Sequence, residues 1–148
     1  MMADIKFKQT EDFQSVVWLD SMCFPSDHPL TDFEETVFWI GSFEGHPVAY
    51  CGAKPIDETC VYLSRVGVLK EFRGQGLQRR MIKLRERWAK KEGYKEIISA
   101  TSRANYASSN NLIACGYKLY EPEEAWLEDG AFYFIKSLDK KPKISSIT

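Results

Sequence analysis

The chain has 148 residues, of which 44% are hydrophobic and 14% aromatic, and its formal net charge is −1. That length suits one domain with a single buried core, and the composition argues for a globular fold over a disordered one. Near-neutral charge gives no general case for nucleic-acid binding, no apolar run approaches the roughly 18 residues of a membrane span, and Met1 to Thr10 lacks a signal-peptide core.

In chain order, Ile5 to Lys8 is short and alternating and is expected to be a strand. Thr10 is expected to cap a helix whose apolar stripe runs through Phe13, Val16 and Val17 to Asp20. Cys23 to Leu30 carries Pro25 and Pro29 and reads as a loop, and Thr31-x-x-Glu34 fits a capping box for a short second helix. Val37 to Phe43 and Val48 to Ala53 read as strands of a hairpin, turned at Glu44-Gly45-His46-Pro47. Val61 to Val68 is a further β-branched strand, and a helix follows Gly76 with an expected core face of Leu77, Met81, Leu84 and Trp88, stopped by Gly93. Ile97 to Thr101 reads as a strand, Tyr106 to Ala114 as a helix ended by Gly116, and Tyr117 to Tyr120 and Ala131 to Ile135 as two last strands. A hairpin meander followed by alternating strands and helices predicts a mixed α/β sheet. Residues 1–138 are expected to form the single domain, and 139–148, Lys- and Ser-rich, a loosely ordered tail.

Cys23, Cys51, Cys60 and Cys115 show neither a C-x-x-C pair nor metal-ligand spacing. They are expected to be reduced, mostly buried thiols of a cytoplasmic protein, with no metal.

The stretch Arg73-Gly74-Gln75-Gly76-Leu77-Gln78 joins a strand to a helix. The first amides of a helix lack intrahelical acceptors and sit at the positive end of its dipole, so they attract anions. Two glycines let a phosphate approach the backbone, which suggests a cradle for a pyrophosphate. From Lys70 to Lys95 there are ten Lys or Arg against three Glu, which favours a polyanionic ligand or, equally, makes one solvated helix face. Arg79 and Arg80, one turn from the glycines, are placed for phosphates.

Val68 followed by Arg73-x-x-Gly76, with Asn105 32 residues after Arg73 and Gly116-Tyr117 closing the helix that Asn105 opens, resembles the GNAT superfamily of acetyl-CoA-dependent N-acyltransferases. The resemblance extends to the element order β-α-α-β-β-β-α-β-α-β-β and is densest over residues 61–117. It implies a GNAT-type mixed, mostly antiparallel central sheet, flanked by helices and splayed at the middle strands. By the same resemblance Val66, Gly67 and Val68 would offer main-chain groups to the pantetheine arm of acetyl-CoA. Arg73, Gly74, Gln75, Gly76, Leu77, Gln78 and Arg79 would surround the pyrophosphate, and Asn105 would hydrogen-bond the pantetheine or the acceptor side of the thioester. The family's Gly or Ala at the end of the turn is Gln78 here, a side chain that must turn away from the phosphates or contribute its own amide.

The implied activity is direct acetyl transfer from acetyl-CoA to a primary amine, with no nucleic-acid or membrane partner and a homodimer left open. The family's positions for an acid or base hold Leu112, Ala100 and Cys60, so the catalytic groups are unknown. Substitutes in the sequence are Tyr106, Tyr117, Tyr120, Cys115, His28 and His46, although half-buried tyrosines, a buried thiol and loop histidines read equally as structural. Two acidic runs, Asp27, Asp32, Glu34 and Glu35 in the first and Glu121, Glu123, Glu124, Glu128 and Asp129 in the second, contain no Lys or Arg. They point to a cationic acceptor, such as a protein lysine or N-terminus or a polyamine, with Phe24, Trp39 and Trp126 as an apolar wall, although solubilising loop charges and aromatic core packing account for these residues equally well. The competing readings are a GNAT-fold module that binds acyl-CoA with little or no turnover and a nucleotide-binding module unrelated to CoA.

Overall fold

The computed structural model of the chain describes residues 4–27, 29–30, 33–127 and 130–139. Its strands are β1 (Lys6–Thr10), β2 (Val37–Phe43), β3 (His46–Pro55), β4 (Cys60–Val68), β5 (Glu96–Ser102), β6 (Lys118–Leu119) and β7 (Ala131–Ser137). Its helices are α1 (Phe13–Cys23), α2 (Leu77–Lys91) and α3 (Tyr106–Ala114), with a 3-10 turn at Lys70–Phe72. The strands form one seven-stranded sheet in the order β1-β2-β3-β4-β5-β7-β6. Only β4 and β5 pair in parallel; every other neighbouring pair is antiparallel. The mixed, mostly antiparallel sheet is as the sequence implies.

The β4–β5 junction shapes the molecule. Their ladder holds only Cys60↔Glu96, Val61↔Ile97 and Tyr62↔Ile98. β4 stays paired to β3 as far as Ala49↔Val68, and β5 to β7 as far as Ser102↔Ala131, so beyond Tyr62 and Ile98 the two strands part company. β4 also carries a bulge: Cys51 faces Val66 and Ala53 faces Leu63, leaving Ser64 and Arg65 against the single residue Gly52. A Cβ at Gly52 would collide with the Ser64 hydroxyl and crowd Thr36 and Phe38 at 3.0 and 3.1 Å, so this close approach favours glycine.

Several local expectations change. Asp12, not Thr10, caps α1, its carboxylate accepting from the Ser15 amide at 3.2 Å, because Thr10 is the last residue of β1. No second helix forms among the described residues between α1 and β2: Phe33–Glu35 is a turn held by Phe33 stacking on Phe13 and Phe38. Thr31, the expected cap, lies outside the described residues, as do Asp32, His28, Glu128, Asp129 and 140–148. The hairpin turns on two residues, Glu44 and Gly45, at φ 51° and 82°, so β3 starts at His46.

The face that α2 buries is also rotated from expectation. Leu77, Met81, Ile82, Arg85, Glu86 and Ala89 are buried, while Leu84 and Trp88 are half-buried at the rim, where Trp88 packs edge-on to Trp39. Trp39 is therefore core rather than acceptor wall. All four cysteines are free thiols, and no described helix is long and apolar enough to cross a membrane.

A second, smaller cluster of Val16, Leu19, Phe38, Ile40 and Tyr50 seats α1 on the opposite face. Asp20, 4% exposed, anchors it. Its carboxylate accepts from the Tyr50 hydroxyl at 2.5 Å and from Arg65 Nη1 at 3.0 and 3.2 Å. Replacing Asp20 by Ala strands the buried Tyr50 hydroxyl and removes the nearer carboxylate of Arg65, at an expected cost of about 3 kcal/mol, whereas Tyr50→Phe removes one hydrogen bond, about 1 kcal/mol. Urea unfolding of both variants checks the ranking, and equal losses would contradict it.

Candidate functional site

The gap between the parting halves of β4 and β5 opens as three adjoining cavities of about 250, 450 and 490 Å³. The innermost lies between β4, β5, α2 and α3; the middle one runs along Val66, Gly67 and Val68; the outermost sits over the glycine turn. Phe24, Val66, Gln78, Asn105 and Ser108 border both the inner and the middle cavity, so the two form one cleft.

The glycine turn works by backbone. Gly74 and Gly76 have φ of 80° and 73°, and nothing lies within 4 Å of where a Cβ would stand on either. Gly76 is the N-cap of α2, and no side chain caps that end. The first amide of α2 bonded within the helix is that of Arg80, to the Gly76 carbonyl. The amides of Leu77, Gln78 and Arg79 thus face the outer cavity with the positive end of the helix dipole behind them. Such a terminus fits an anion of pyrophosphate size.

The side chains around the turn do different things. Gln78 turns away from the open turn and ties α2 to α3, its Nε2 donating to Ser108 Oγ at 2.9 Å and its Oε1 accepting from Asn111 Nδ2 at 2.8 Å. Its amide is thereby used structurally, which accounts for a large polar residue at a position where the related pattern has a small one. Arg79 lines the outer cavity with Nε on Asn111 Oδ1 at 2.8 Å. Arg80 does not join it. Its Nη2 donates to the Ile5 carbonyl at 2.8 Å and its guanidinium lies over Phe7, so it binds β1 to α2 instead of facing phosphates. Arg73 folds back, Nε to the Val68 carbonyl at 3.0 Å, and lines both outer cavities. Leu77 is core as well as cavity wall, and Gln75, half-buried, belongs to none of the three walls.

Asn105 stands where the inner and middle cavities meet and caps α3, its Oδ1 accepting from the Ser108 amide at 3.2 Å. Gly67 is fixed by its neighbours: an added Cβ would stand 2.5 Å from Tyr50 and 2.9 Å from Cys23 Sγ. Cys23 and Phe24, from the end of α1, complete the middle cavity. Sequence reasoning missed Cys23, whose spacing announced nothing, and named Phe24 only as an apolar wall for the acceptor. It also missed Arg85, although a basic residue between Met81 and Ala89 on the buried stripe of α2 was a legible anomaly.

The positions for an acid or base are apolar where they matter. Leu112 and Ala100 both line the inner cavity, and Cys60 is buried, its thiol pushed up to about 12 by burial and then by Glu96 and Asp57. Tyr106 is exposed and Tyr117 is buried with its pKa raised by burial. Tyr120 is half-buried and raised in the same way. His46 is exposed at the hairpin, far in sequence from any cavity wall, and His28 lies outside the described residues. Cys115 is buried with a raised pKa and lines none of the three cavities.

The acidic segment before β7 forms a cavity of its own, about 630 Å³, with Tyr120, Glu121, Glu123 and Tyr133 in its wall and Arg103 at one side. Trp126 packs on Tyr133 at 4.4 Å between ring centres and edge-on to Tyr62 at 6.4 Å. Tyr62 belongs to the inner cavity, so this aromatic group links the acidic segment to the cleft. On the other side Asp27 lies 4.0 Å from Arg65, and Glu35 pairs with Lys54 at 3.1 Å.

Comparison with known proteins gives a consistent picture. A family model described as the acetyltransferase (GNAT) family matches residues 5–117. Human N-acetyltransferase 8B is 28% identical over 86 residues, 55% of this chain, and that stretch spans only 38% of the relative's length. A GNAT family acetyltransferase from Elizabethkingia anophelis, solved with acetyl-CoA bound, superimposes with a TM-score of 0.74 at 15% identity, covering 90% of this chain and 97% of that one. The ribosomal-protein-S18-alanine N-acetyltransferase from Escherichia coli gives 0.76 at 12% identity over 95% and 98%.

The cleft predicts a reactivity order among the thiols. Burial raises the Cys23 pKa, partly offset by Arg73 beside it, while Cys51, fully enclosed, is pushed up to about 11. A raised pKa leaves less thiolate at neutral pH, so alkylation of Cys23 by iodoacetamide should accelerate with pH through and beyond the ordinary thiol range. Cys51 and Cys60 should stay unlabelled until the chain unfolds. Mass spectrometry of timed samples reads the order, and labelling of Cys51 as fast as Cys23 would contradict it.

Proposed function

The chain belongs to the GNAT acetyltransferase family, and from that membership we propose that it transfers an acetyl group from acetyl-CoA directly to a primary amine. The observation that carries this reading is the uncapped N-terminus of α2, opening onto a cleft walled by the free edge of β4. The amides of Leu77, Gln78 and Arg79, with Gly74 and Gly76 leaving room, would hold the pyrophosphate, and Arg73 and Arg79 add charge. Val66 to Val68 would pair with the pantetheine amides as an added strand does. Asn105, its Oδ1 engaged at the cap, would present its Nδ2 to the same arm.

The thioester supplies an acyl group already activated toward an amine. The chain contributes orientation and a donor for the carbonyl oxygen. A main-chain amide of β4 near Val68, on the side that β5 leaves, would serve as that donor. Direct transfer is supported by the thiols: burial raises the pKa of Cys51 and Cys60, which line none of the three cavities, and of Cys23, which lines the middle one, so each is a poor acyl carrier near neutral pH. With Leu112 and Ala100 in the cleft wall, proximity supplies most of the rate and water removes the amine proton.

The acceptor is a cationic amine, such as a lysine side chain, a protein N-terminus or a polyamine. Glu121 and Glu123 line a cavity separated from the cleft by the packed rings of Tyr133, Trp126 and Tyr62, and carboxylates with aromatic faces attract ammonium groups. A panel of amines with acetyl-CoA, read by free thiol, tests both statements. Polyamines and lysine peptides should react roughly tenfold or more faster than acidic or neutral amines at low salt, and rates should rise with pH as the amine deprotonates. A preference for acidic acceptors would remove the acceptor assignment, and no thiol release with any amine would remove the activity.

A further inference from the structure

Arg85 is among the largest fully buried side chains of the chain, 2% exposed. Its Nε donates to the Met81 carbonyl at 3.0 Å, and its Nη1 to the Gly52 and Ser64 carbonyls at 2.9 and 3.4 Å. Nη2 makes no hydrogen bond to a described residue, and Arg85 belongs to the wall of the inner cavity. No carboxylate among the described residues pairs with it. Glu86, next in the chain, turns to Lys136 at 3.0 Å. A buried guanidinium is costly unless an anion accompanies it.

The cavity itself repeats the imbalance. Its wall carries Arg85 and Arg65 and no Asp or Glu, and Arg65 already has Asp20. Ser64, Ser99 and Thr101 add hydroxyls, and Ile82 and Leu112 add apolar surface. At about 250 Å³ it exceeds what two carbons need, since a water occupies about 30 Å³ of liquid. It continues the middle cavity inward from Val66, Gln78 and Asn105.

We propose that Arg85 is a recognition point for a ligand carboxylate at the inner end of the cleft. This rests on the acyl-CoA reading above and widens its donor beyond acetyl-CoA: one source of the carboxylate is an acyl chain that ends in one, as in the CoA monothioester of a dicarboxylic acid. An acceptor that carries a carboxylate beside its amine would offer the same group.

Calorimetric titration of the whole chain with two matched pairs tests this. Succinyl-CoA against butyryl-CoA reads the acyl source, and L-lysine against lysinamide with CoA present reads the acceptor source. In at least one pair the carboxylate-bearing member should bind roughly tenfold or more tighter, the scale of a charge-assisted hydrogen bond. In Arg85→Met, which keeps an unbranched apolar stem and removes the guanidinium, that ratio should shrink to about twofold or less. Equal affinity within both pairs overturns the proposal, as does a ratio unchanged by Arg85→Met. The wild-type ratios decide by themselves if the variant does not fold. CoA that binds while neither pair discriminates sinks this inference alone, whereas CoA that does not bind sinks the acyl-CoA reading with it.

Discussion

The β4–β5 ladder closes over three residue pairs and then stops, and most of the molecule's other features answer to that arrest. A strand in the middle of a sheet ordinarily satisfies both edges. Here the second half of β4 keeps only β3, so its other edge must find partners that are not a strand. Ser99 reaches across from β5 to the Leu63 carbonyl at 3.3 Å, and Arg85 rises from α2 to the carbonyls of Ser64 and Gly52. Asp20, Tyr50 and Arg65 fasten the same length of β4 to α1 on the opposite face. The opening is therefore braced from three elements.

The brace explains why the cleft offers mainly backbone groups. An open strand edge, a bulge and an uncapped helix end lie along one groove, within a stretch of chain from Ser64 to Arg79. Side chains there serve largely to hold elements together: Gln78 and Asn111 join α2 to α3, Arg73 returns to Val68, and Asn105 caps α3. A cleft of this kind presents directional amides whose positions are set by the sheet and helices rather than by rotamers. Transfer by positioning suits it better than transfer through a titrating pair, and the thiols nearest the sheet are held in their unreactive form by burial.

The legible parts of the sequence were those governed by local chemistry. Glycines at Gly74 and Gly76, a β-branched strand before them and Asn105 at a helix start each follow from short-range rules, and α3 spans the expected Tyr106–Ala114. The misreadings came from tertiary contacts. Thr31-x-x-Glu34 has the letters of a capping box, yet Phe33 stacks between Phe13 and Phe38, and Phe33–Glu35, the part of it and its flank that is described, is a turn. The stripe through Leu84 and Trp88 is apolar, but the sheet takes Ile82, Arg85 and Ala89, because the deep face of α2 is fixed by what β3 and β4 need. Arg80 looked like a phosphate ligand from its place in the chain and is spent on Ile5 and Phe7. Charge runs do not reveal direction; only packing does.

The central claim is that the groove from β4 to the start of α2 receives acetyl-CoA through backbone groups. Amide chemical shifts followed by NMR during titration with acetyl-CoA test it most directly. The account predicts the largest changes at the amides of Val66, Gly67 and Val68 and of Gly74 to Arg79, with β1 and β2 unmoved. Changes confined to other elements, or none at saturating acetyl-CoA, would contradict it.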